Sequence, residues 1–499
     1  MKKVLSFLLV FALLLGALSG CTQKTTETPV QSQQTQVDET NEAQQTDDPS
    51  APPDGEAPGD PPDGAPGGNP PGDPPDGGPG GGSGGPGGGP GGSSADIDYK
   101  GAVEITGSES QSGKTYASTT ADESALLIAT ADAVTVEDPT VTKTGDSDGG
   151  DSCNFYGLNA AVLVKDGATA TITGGTITSD ADGANGVFCY GGNGGSNGAD
   201  GDGTTLIIRD TEITTTGDGS GGIMTTGGGV TRAYDLTVTT SGRSSAPIRT
   251  DRGGGTVSVE GGTYTSNGLG SPAIYSTADI SVTGATLISN LSEGVCIEGK
   301  NSIALTDCDL TASNTKCNGN ATFLDTIMIY QSMSGDADSG TSSFTMTGGS
   351  LTSKNGHVFH VTNTNAVITL SGVNIVNEDK ENVLLSVCDD GWSGAGNVAT
   401  LKASGQILSG AILVGDNSNL TLELANGSTF EGFVDGSIVN ASGQTVSTEV
   451  GEVNVTLDGS STWTLTADSY VNSFSGSAAN VVSNGHTLYV GGVALTGTN

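Results

Sequence analysis

Two consecutive segments of nearly equal length share one pattern of residues. Residues 255–278 read GTVSVEGGTYTSNGLGSPAIYSTA, and residues 279–300 read DISVTGATLISNLSEGVCIEGK. Each contains an alternating strand-sized run, a corner of small residues, a second run of the TYTS or TLIS kind, a polar turn and a third short apolar run. Alternation with a period of two predicts strands rather than helices. One such segment therefore has the size and pattern of one coil of a solenoid.

The same pattern recurs along most of the chain. The apolar residues two places before successive corners are Ile172, Ile208, Ala233, Val259, Val282, Leu305, Met346, Leu370 and Leu401. Their spacings are 36, 25, 26, 23, 23, 41, 24 and 31 residues, and the long spacings carry Gly, Asn, Asp and Ser insertions. A near-constant period with loop-like excess predicts coils stacked on one another. The predicted fold class is all-β, a parallel β-helix solenoid.

The chain resembles the right-handed parallel β-helix proteins, which include pectate-lyase-like enzymes and surface adhesins. The resemblance covers roughly residues 125–430 and depends on segments such as TITGGTITS at 171–179, VSVEGGTYTS at 257–266 and FTMTGGSLTS at 344–353. It implies a right-handed solenoid, for which we expect about 10 to 12 coils with a cap at each end. It implies no single activity, because this scaffold carries lyases, hydrolases, binding proteins and adhesins alike.

The sequence divides into five predicted segments. Residues 1–20 have a basic start and an apolar run, which is typical of an export signal. Their LSGC ending resembles the bacterial lipoprotein signal and implies a lipid on Cys21 that anchors the chain to the outer face of a membrane; the alternative is an ordinary signal peptide with an incidental cysteine. Residues 21–97 are rich in Pro, Gly and Asp and predict a disordered linker. We expect an N-terminal cap and first coil at 98–158, the regular β-helix at 159–430 and a C-terminal β cap at 431–499, with Trp463 packed in that cap.

The charge of the chain limits its partners. The formal net charge is −39, from 17 Lys and Arg against 56 Asp and Glu. Nucleic acid is not an expected partner, because a phosphate backbone is bound through clustered basic residues, and the lipid anchor is the only expected membrane contact. All five arginines nevertheless fall within 44 consecutive positions, which places them on neighbouring coils and locally interrupts the negative field. They are Arg209, Arg232, Arg243, Arg249 and Arg252.

The third strands of successive coils predict two columns of side chains, because neighbouring residues of a strand face opposite sides of a sheet. The predicted inward column is Phe188, Ile223, Ile248, Ile274, Cys296, Ile327, Phe359 and Leu385. The predicted outward column is Cys189, Met224, Arg249, Tyr275, Ile297, Met328, His360 and Ser386. The outward column differs in composition from the Thr and Ser that dominate the rest of the chain.

This outward column is the predicted ligand-binding surface. Aromatic faces pack on sugar rings, and Arg binds a carboxylate through two parallel hydrogen bonds. We therefore expect an elongated groove for a polysaccharide or surface glycan. Its predicted ligand-binding residues are Arg249, Arg252, Tyr275, Tyr330, His360 and Trp392. The alternative is that a long insertion, at residues 317–341, or the C-terminal cap covers this face and buries the column.

Catalysis by a polysaccharide lyase is the competing hypothesis. A lyase needs a base near a sugar C5 proton and a cation that stabilises the developing negative charge. The resemblance to pectate-lyase-like enzymes, which combine acidic calcium ligands with an arginine base, points to Arg249, Asp251 and Arg252. The alternative interpretation of these three residues is a set of surface ion pairs.

Calcium is the one cofactor that the sequence suggests. The acidic loops GDSDGGD at 145–151 and NGADGDG at 197–203 supply carboxylate oxygens suited to calcium, although Asp and Gly are also common in turns. We expect aspartate ligands at positions 145, 147, 151, 200 and 202. The last three of these positions are Asp151, Asp200 and Asp202, and the other carboxylates of the first loop belong to Asp146 and Asp148.

Six cysteines follow Cys21: Cys153, Cys189, Cys296, Cys308, Cys317 and Cys388. An exported chain can pair such cysteines, and Cys308 with Cys317 would close a short loop. The alternative is that several are small buried apolar residues, which we expect for Cys296.

Three functional hypotheses remain. The preferred one is a lipid-anchored, adhesin-like protein of the bacterial cell surface that binds carbohydrate or another surface ligand without catalysis. The alternatives are a lyase acting on uronic-acid polymers and a structural spacer. A Ser-His-Asp triad has no support in the sequence, because no nucleophile elbow is present.

Overall fold

The structure is a computed structural model that describes residues 97–148, 150–193 and 200–499. The described chain is an all-β, right-handed parallel β-helix, as predicted. The described strands form three long parallel sheets, which we name A, B and C and which contain 15, 14 and 10 strands. Each coil up to residue 377 contributes one strand to each of the three sheets. The predicted export signal, the predicted lipidation site Cys21 and nearly all of the predicted linker lie outside the described residues.

The strands of sheet A, in order, are Lys100–Ile105, Glu123–Ala129, Val162–Lys165, Val187–Tyr190, Ile223–Thr226, Ile248–Thr250, Ile274–Ser276, Val295–Glu298, Asp325–Tyr330, His357–Thr362, Val383–Val387, Ile407–Val414, Thr429–Asp435, Thr462–Leu465 and Val481–Val482. Those of sheet B are Glu109–Ser112, Ala133–Glu137, Thr169–Thr173, Thr205–Arg209, Gly229–Tyr234, Gly255–Glu260, Asp279–Thr283, Ser302–Thr306, Thr341–Thr347, Asn365–Ser371, Asn397–Ser404, Ser418–Ala425, Glu452–Leu457 and Ser473–Ser475. Those of sheet C are Thr115–Ser118, Thr140–Lys143, Thr176–Ser179, Glu212–Thr215, Thr237–Thr240, Thr263–Ser266, Thr286–Ser289, Asp309–Ala312, Ser350–Ser353 and Asn374–Asn377.

Smaller elements complete the structure. A short helix, α1, spans Asp151–Tyr156, and a 3-10 turn spans Ala478–Asn480. An antiparallel pair is formed by Ile438–Val439 and Thr445–Ser447. A separate three-stranded sheet near the end of the chain comprises Ser469–Val471, Leu488–Val490 and Val493–Ala494. Within the described ranges, no helix is long and apolar enough to cross a membrane.

The register of sheet B agrees closely with the repeat found in the sequence. The first eight residues of the predicted column, from Ile172 to Leu370, are paired one to the next. The last step differs, because Leu370 pairs with Ala403 and not with Leu401. The strand that contains Ala403 is eight residues long, so the distance from its start to the corner is greater than in the earlier coils.

The corners between sheets B and C have a backbone reason for their composition. The corner residues adopt positive φ, a conformation that Gly adopts freely and that Asp and Asn tolerate better than other residues. They are Gly174 (φ 68°), Asp210 (51°), Asp235 (50°), Gly261 (68°), Gly284 (65°), Asp307 (50°), Gly348 (65°) and Gly372 (63°). A recurring Gly or Asp at this position therefore keeps the turn the same in coils of different sequence.

The terminal segments also form coils. Two strands of sheet A precede residue 130, and the ladders of sheets A and B continue past residue 430 through Val481–Val482 and Ser473–Ser475. Between residues 159 and 430, eleven described strands of sheet A begin, in agreement with the expected 10 to 12 coils, and the terminal segments add further coils. Trp463 lies in this last part and is fully buried: its ring stacks on Phe430 at 5.4 Å and its Nε1 donates to the Gly432 carbonyl at 3.1 Å.

Sheet C ends earlier than sheets A and B, after Asn374–Asn377. The side chain of Gln406 takes the place of a further strand there. Its Nε2 donates to the Val373 carbonyl at 2.7 Å, and its Oε1 accepts from the Val373 amide at 2.8 Å. These bonds satisfy backbone groups that the missing strand would otherwise leave buried and unpaired.

Candidate functional site

The outward face of sheet A carries the ladder of unusual side chains, with two corrections to the predicted column. The observed column runs through Leu163, Phe188, Met224, Arg249, Tyr275, Cys296, Met328, His360 and Ser386. Phe188 and Cys296 thus lie in the outward column, and Cys189 and Ile297 lie in the inward one. The predictions for these four residues, including an inward Cys296, were wrong by one position. The runs VFCY and VCIE are buried at all four positions, so neither shows the alternation on which the assignment depends.

This face is not an open groove, because other segments of the chain cover it. Phe155 and Tyr156 of α1 pack on the first part. Ala321, from the predicted covering insertion, packs with Trp392 on the middle, and Ile438 of the antiparallel pair packs on the last part. A bond between the Thr226 hydroxyl and the Phe155 carbonyl, at 2.6 Å, fixes α1 to the ladder. Five of the six predicted ligand-binding side chains are therefore buried, and the sixth, Arg252, is about a quarter exposed.

The three residues of the lyase hypothesis lie together but are engaged in ion pairs. Nη2 of Arg249 lies 2.8 Å from Oδ2 of Asp251, and both side chains are almost fully buried. Arg252 donates from Nε and Nη2 to Oδ1 of Asp336, at 3.1 and 2.6 Å. Burial raises the pKa of Asp251, and the charge of Arg249 offsets part of that rise. In this arrangement a polysaccharide has no access to Arg249.

A buried carboxylate binds two of the predicted aromatic residues. Oε2 of Glu298 accepts from the hydroxyl of Tyr275 at 2.5 Å and from that of Tyr330 at 3.1 Å, and Oε1 accepts from Ser332. Burial raises the pKa of Glu298, and these hydrogen bonds offset part of the rise. The ring of Tyr330 packs on Trp392 at 4.8 Å. These aromatic residues therefore bind one another and Glu298 instead of presenting a sugar-binding face.

The last part of the ladder contains a serine between two histidines. Oγ of Ser386 lies 2.7 Å from Nδ1 of His357 and 2.7 Å from Nδ1 of His360. Nε2 of His360 lies 3.3 Å from Oδ2 of Asp390. Sequence reasoning placed His360 and Ser386 in one column but missed His357 and Asp390 as parts of this group. The sequence did contain a signal for this group. His357 and His360 are three residues apart on one coil, and Ser386 and Asp390 are four residues apart on the next coil.

A cavity of about 310 Å³ adjoins this group. His357 lines it, together with Phe323, Gly356, residues 379–381 and part of the segment 439–443. The Phe323 ring stacks on His360 at 4.7 Å and lies 5.4 Å from the ring of His357. His357 is therefore the one histidine of the pair that reaches the cavity.

A patch of arginine and tyrosine lies on the outward face of sheet B. Arg209 pairs in register with Tyr234, and Ile207 pairs with Arg232, so these side chains share two adjacent strands. The guanidinium of Arg209 lies 3.7 Å from the centre of the Tyr234 ring. In the part of the chain that the structure describes, no carboxylate lies within ion-pair distance of Arg209 or Arg232. We call Arg209, Arg232 and Tyr234 the arginine–tyrosine patch.

Two of the five predicted calcium ligands were wrong, because positions 145 and 147 are Gly145 and Ser147 and carry no carboxylate. Both are engaged in other bonds. The Gly145 carbonyl accepts from Nζ of Lys143 at 2.6 Å, and the Ser147 hydroxyl donates to Oδ1 of Asp122. A lysine ammonium at this carbonyl would repel a cation. The prediction of aspartate ligands at 145 and 147 is therefore withdrawn.

The carboxylates of the acidic loops do not form a group of three or more; across the described ranges, no cluster of His, Cys, Asp and Glu has a metal-binding arrangement. Asp146 accepts from the Asp182 amide at 3.0 Å, and Asp202 accepts from the amide and hydroxyl of Thr204 at 2.9 and 2.6 Å. Asp151 lies in the first turn of α1, and Asp148 and Asp200 are exposed.

Of the six cysteines that follow Cys21, five are buried, and Cys189, Cys296, Cys308, Cys317 and Cys388 are free thiols. Cys317 is the partly exposed one, and its thiol lies 3.4 Å from the Phe323 carbonyl. Comparison of the chain with protein-family profiles, with curated proteins and with solved structures finds no match. The functional argument therefore depends on the geometry of the chain itself.

Proposed function

We propose that this protein is a lipid-anchored, non-catalytic β-helix of the bacterial cell surface that binds acidic polysaccharide through the arginine–tyrosine patch. The observation that carries the proposal is the pair of guanidiniums, on adjacent exposed strands, that have no ion-pair partner among the described residues. The chain has 56 acidic residues, and none of those within the described ranges lies at ion-pair distance from Arg209 or Arg232.

The chemistry of the patch suits a uronic-acid polymer. Each guanidinium can bind a carboxylate through two parallel hydrogen bonds, and the Tyr234 ring can pack against a sugar ring. Arg209 already lies over one face of that ring, which holds its guanidinium in place. Binding by two arginines on neighbouring strands matches a ligand whose charges repeat along an extended chain.

The anchor belongs to the same proposal. The LSGC signal and the long linker that follows would hold the β-helix away from the membrane and expose the patch to surrounding polymers. Replacing Cys21 with Ser should move the protein from the detergent phase to the aqueous phase in a detergent-partition experiment on whole cells. Retention in the detergent phase would contradict lipidation at Cys21.

Binding to polygalacturonate, measured by calorimetry, tests the proposed ligand. The double variant R209A/R232A should bind at least tenfold more weakly, because a hydrogen bond to a charged group contributes about 1.5–3 kcal/mol, and binding by the unchanged protein should weaken with salt. K402A is the matched control, since Lys402 is also an exposed cation on sheet B. Equal weakening by K402A, or no binding by the unchanged protein, would overturn the proposal.

The lyase alternative makes a different prediction for the same assay. A lyase would release unsaturated, ultraviolet-absorbing products from polygalacturonate, and R249A would abolish them. We expect no such products, because Arg249 is buried and paired with Asp251.

A further inference from the structure

The group formed by His357, Ser386, His360 and Asp390 has no part in the proposed polysaccharide site. Two hydrogen bonds join Ser386 to the histidines, and a contact of 3.3 Å between Nε2 of His360 and Oδ2 of Asp390 continues the group to a buried carboxylate. The carboxylate is held firmly: Oδ1 of Asp390 accepts from the amide and the hydroxyl of Thr322, both at 2.7 Å. Burial alone would raise the pKa of Asp390, but its bonds to His360 and Thr322 lower the pKa below its ordinary value. Asp390 is therefore ionised.

The positions of the protons follow from the partners of each atom. Nε2 of His360 faces Oδ2 of Asp390, so we assign the ring proton to Nε2 and the accepting role to Nδ1. The Ser386 hydroxyl then donates to that Nδ1. A serine hydroxyl has only one proton, so Nδ1 of His357 must donate to Ser386 in turn. Nε2 of His357 is left without a proton.

That nitrogen belongs to a residue that lines the cavity. Among the described residues, the hydrogen bond of the His357 ring is made by Nδ1. Burial, and to a lesser degree the nearby His360, lower the pKa of His357 to about 3, so the ring stays neutral in mildly acidic solution. A neutral imidazole with an unprotonated nitrogen is a hydrogen-bond acceptor.

We propose that the cavity is a second site, which binds a small neutral ligand rich in hydroxyl groups. A hydroxyl of the ligand donates a hydrogen bond to Nε2 of His357. Ser386, His360 and Asp390 form a relay of polar contacts behind His357 that holds its ring in the accepting tautomer.

The lining of the cavity identifies the class of ligand. Asp379 and Glu381 supply carboxyl groups, Lys380 supplies a cation, and Gly356 and Gly443 bring the backbone close to the space. The Asp379 carboxylate already accepts from the amides of Gly356 and Glu381. Groups of both signs, with a net negative balance, suit a neutral molecule with several hydroxyls better than an anion. A cavity of about 310 Å³ lies at the small end of the range for ligand sites, which begins at about 300 Å³.

Nitrogen-15 NMR of the full-length protein, with labelled histidine, tests the relay. We expect an unprotonated Nε2 and a protonated Nδ1 at His357, and the opposite pattern at His360. S386A should remove the hydroxyl that bonds both histidine rings and should give mixed tautomers at His357. S386T, which keeps a hydroxyl, should restore the original pattern. A protonated Nε2 at His357 in the unchanged protein would overturn the relay.

Chemical modification tests the same nitrogen without a variant. Diethyl pyrocarbonate reacts with unprotonated imidazole, and mass spectrometry locates the product. Free N-acetylhistidine, with an ordinary pKa near about 6.5, should react about thirtyfold more slowly at pH 5 than at pH 7.5. His357 should slow less than twofold over this range. A thirtyfold loss at His357, or no reaction at either pH, would overturn its assignment as an accessible acceptor.

Titration with the neutral sugars galactose, glucose and xylose tests the ligand class. We expect at least one sugar to shift the Nε2 resonance of His357 and to protect the ring from modification, and galacturonate to do so more weakly. Stronger binding of galacturonate, or no shift with any neutral sugar, would overturn the ligand assignment. The arginine–tyrosine patch shares no residue with this cavity, so R209A/R232A serves as a control that should leave these shifts unchanged.

Discussion

The buried ion pair of Arg249 and Asp251 gives the sharpest test of the covered ladder. The nitrogen and oxygen are 2.8 Å apart, and the two side chains are 3% and 1% exposed. Removing one partner of a buried pair leaves an uncompensated charge and lowers the free energy of unfolding by about 3–5 kcal/mol, whereas an exposed pair contributes about 0–1 kcal/mol. R249M should therefore lower the free energy of unfolding by about 3–5 kcal/mol at pH 9.

The effect should depend on pH in a defined direction. Burial raises the pKa of Asp251, so the folded protein holds this proton more tightly than the unfolded chain. The resulting stability is present in acid and is lost as the pH rises through the raised value. At pH 5 Asp251 is protonated with or without its partner, so R249M should have a much smaller effect there than at pH 9.

A double-mutant cycle completes the experiment. R249M and D251L should each destabilise the protein, and R249M/D251L should recover to within about 1 kcal/mol of the unchanged protein or exceed it, because apolar groups can replace a buried pair. Urea unfolding followed by circular dichroism gives the free energies. Hydrogen exchange at the Arg252 amide, which donates to Asp251, reports on the cover locally. A loss below about 1 kcal/mol for R249M at pH 9 would show that water reaches the pair and would refute a closed cover.

Two further predictions concern buried polar groups. The hydroxyl of Tyr264 is buried with no hydrogen-bond partner among the described atoms, so Y264F should raise the melting temperature. Y116F should lower the melting temperature, because the Tyr116 hydroxyl donates to Gln111 at 2.5 Å and this hydrogen bond contributes about 0.5–1.5 kcal/mol. Equal shifts for both variants would contradict this reasoning. Burial, with the nearby charge of Glu293, raises the pKa of Asp325, so the stabilising proton on Asp325 is present in acid and is lost as the pH rises. D325N should therefore increase the free energy of unfolding at pH 8 and reduce its fall between pH 5 and pH 8. An unchanged pH dependence of the free energy, measured by urea unfolding at each pH, would contradict this prediction.

The repeat was predictable wherever a strand has one buried and one exposed side. The column from Ile172 to Leu370 was correct because its neighbours in each strand are polar and the alternation is clear. The register failed at Phe188 and Cys296, in strands that are buried on both faces. A strand that is buried on both faces has apolar residues at successive positions and no alternation of polar and apolar residues. The sequence therefore does not show which of two neighbouring residues faces the core.

The covered site was predictable only in part. Sequence alignment brought His360 and Ser386 together because both occupy the repeating third strand. Asp390 and His357 complete the group through a loop and through the first residue of a strand, where no repeat constrains the side chain. The choice between open groove and cover depended on contacts between residues far apart in the chain, such as Thr322 and Asp390, which a local pattern does not record.

The segments that cover sheet A have a consequence for how such a chain can change in length. A solenoid touches only its neighbours, so a coil of about two dozen residues can in principle be duplicated or lost without disturbing the remainder. The cover does not share this freedom: Arg252 bonds Asp336 across 84 positions, and Thr322 bonds Asp390 across 68. These bonds fix the number of coils between the residues that they join. Gain or loss of a coil is therefore tolerated towards the ends of the β-helix, outside the segment that these bonds span, and disfavoured between residues 252 and 390.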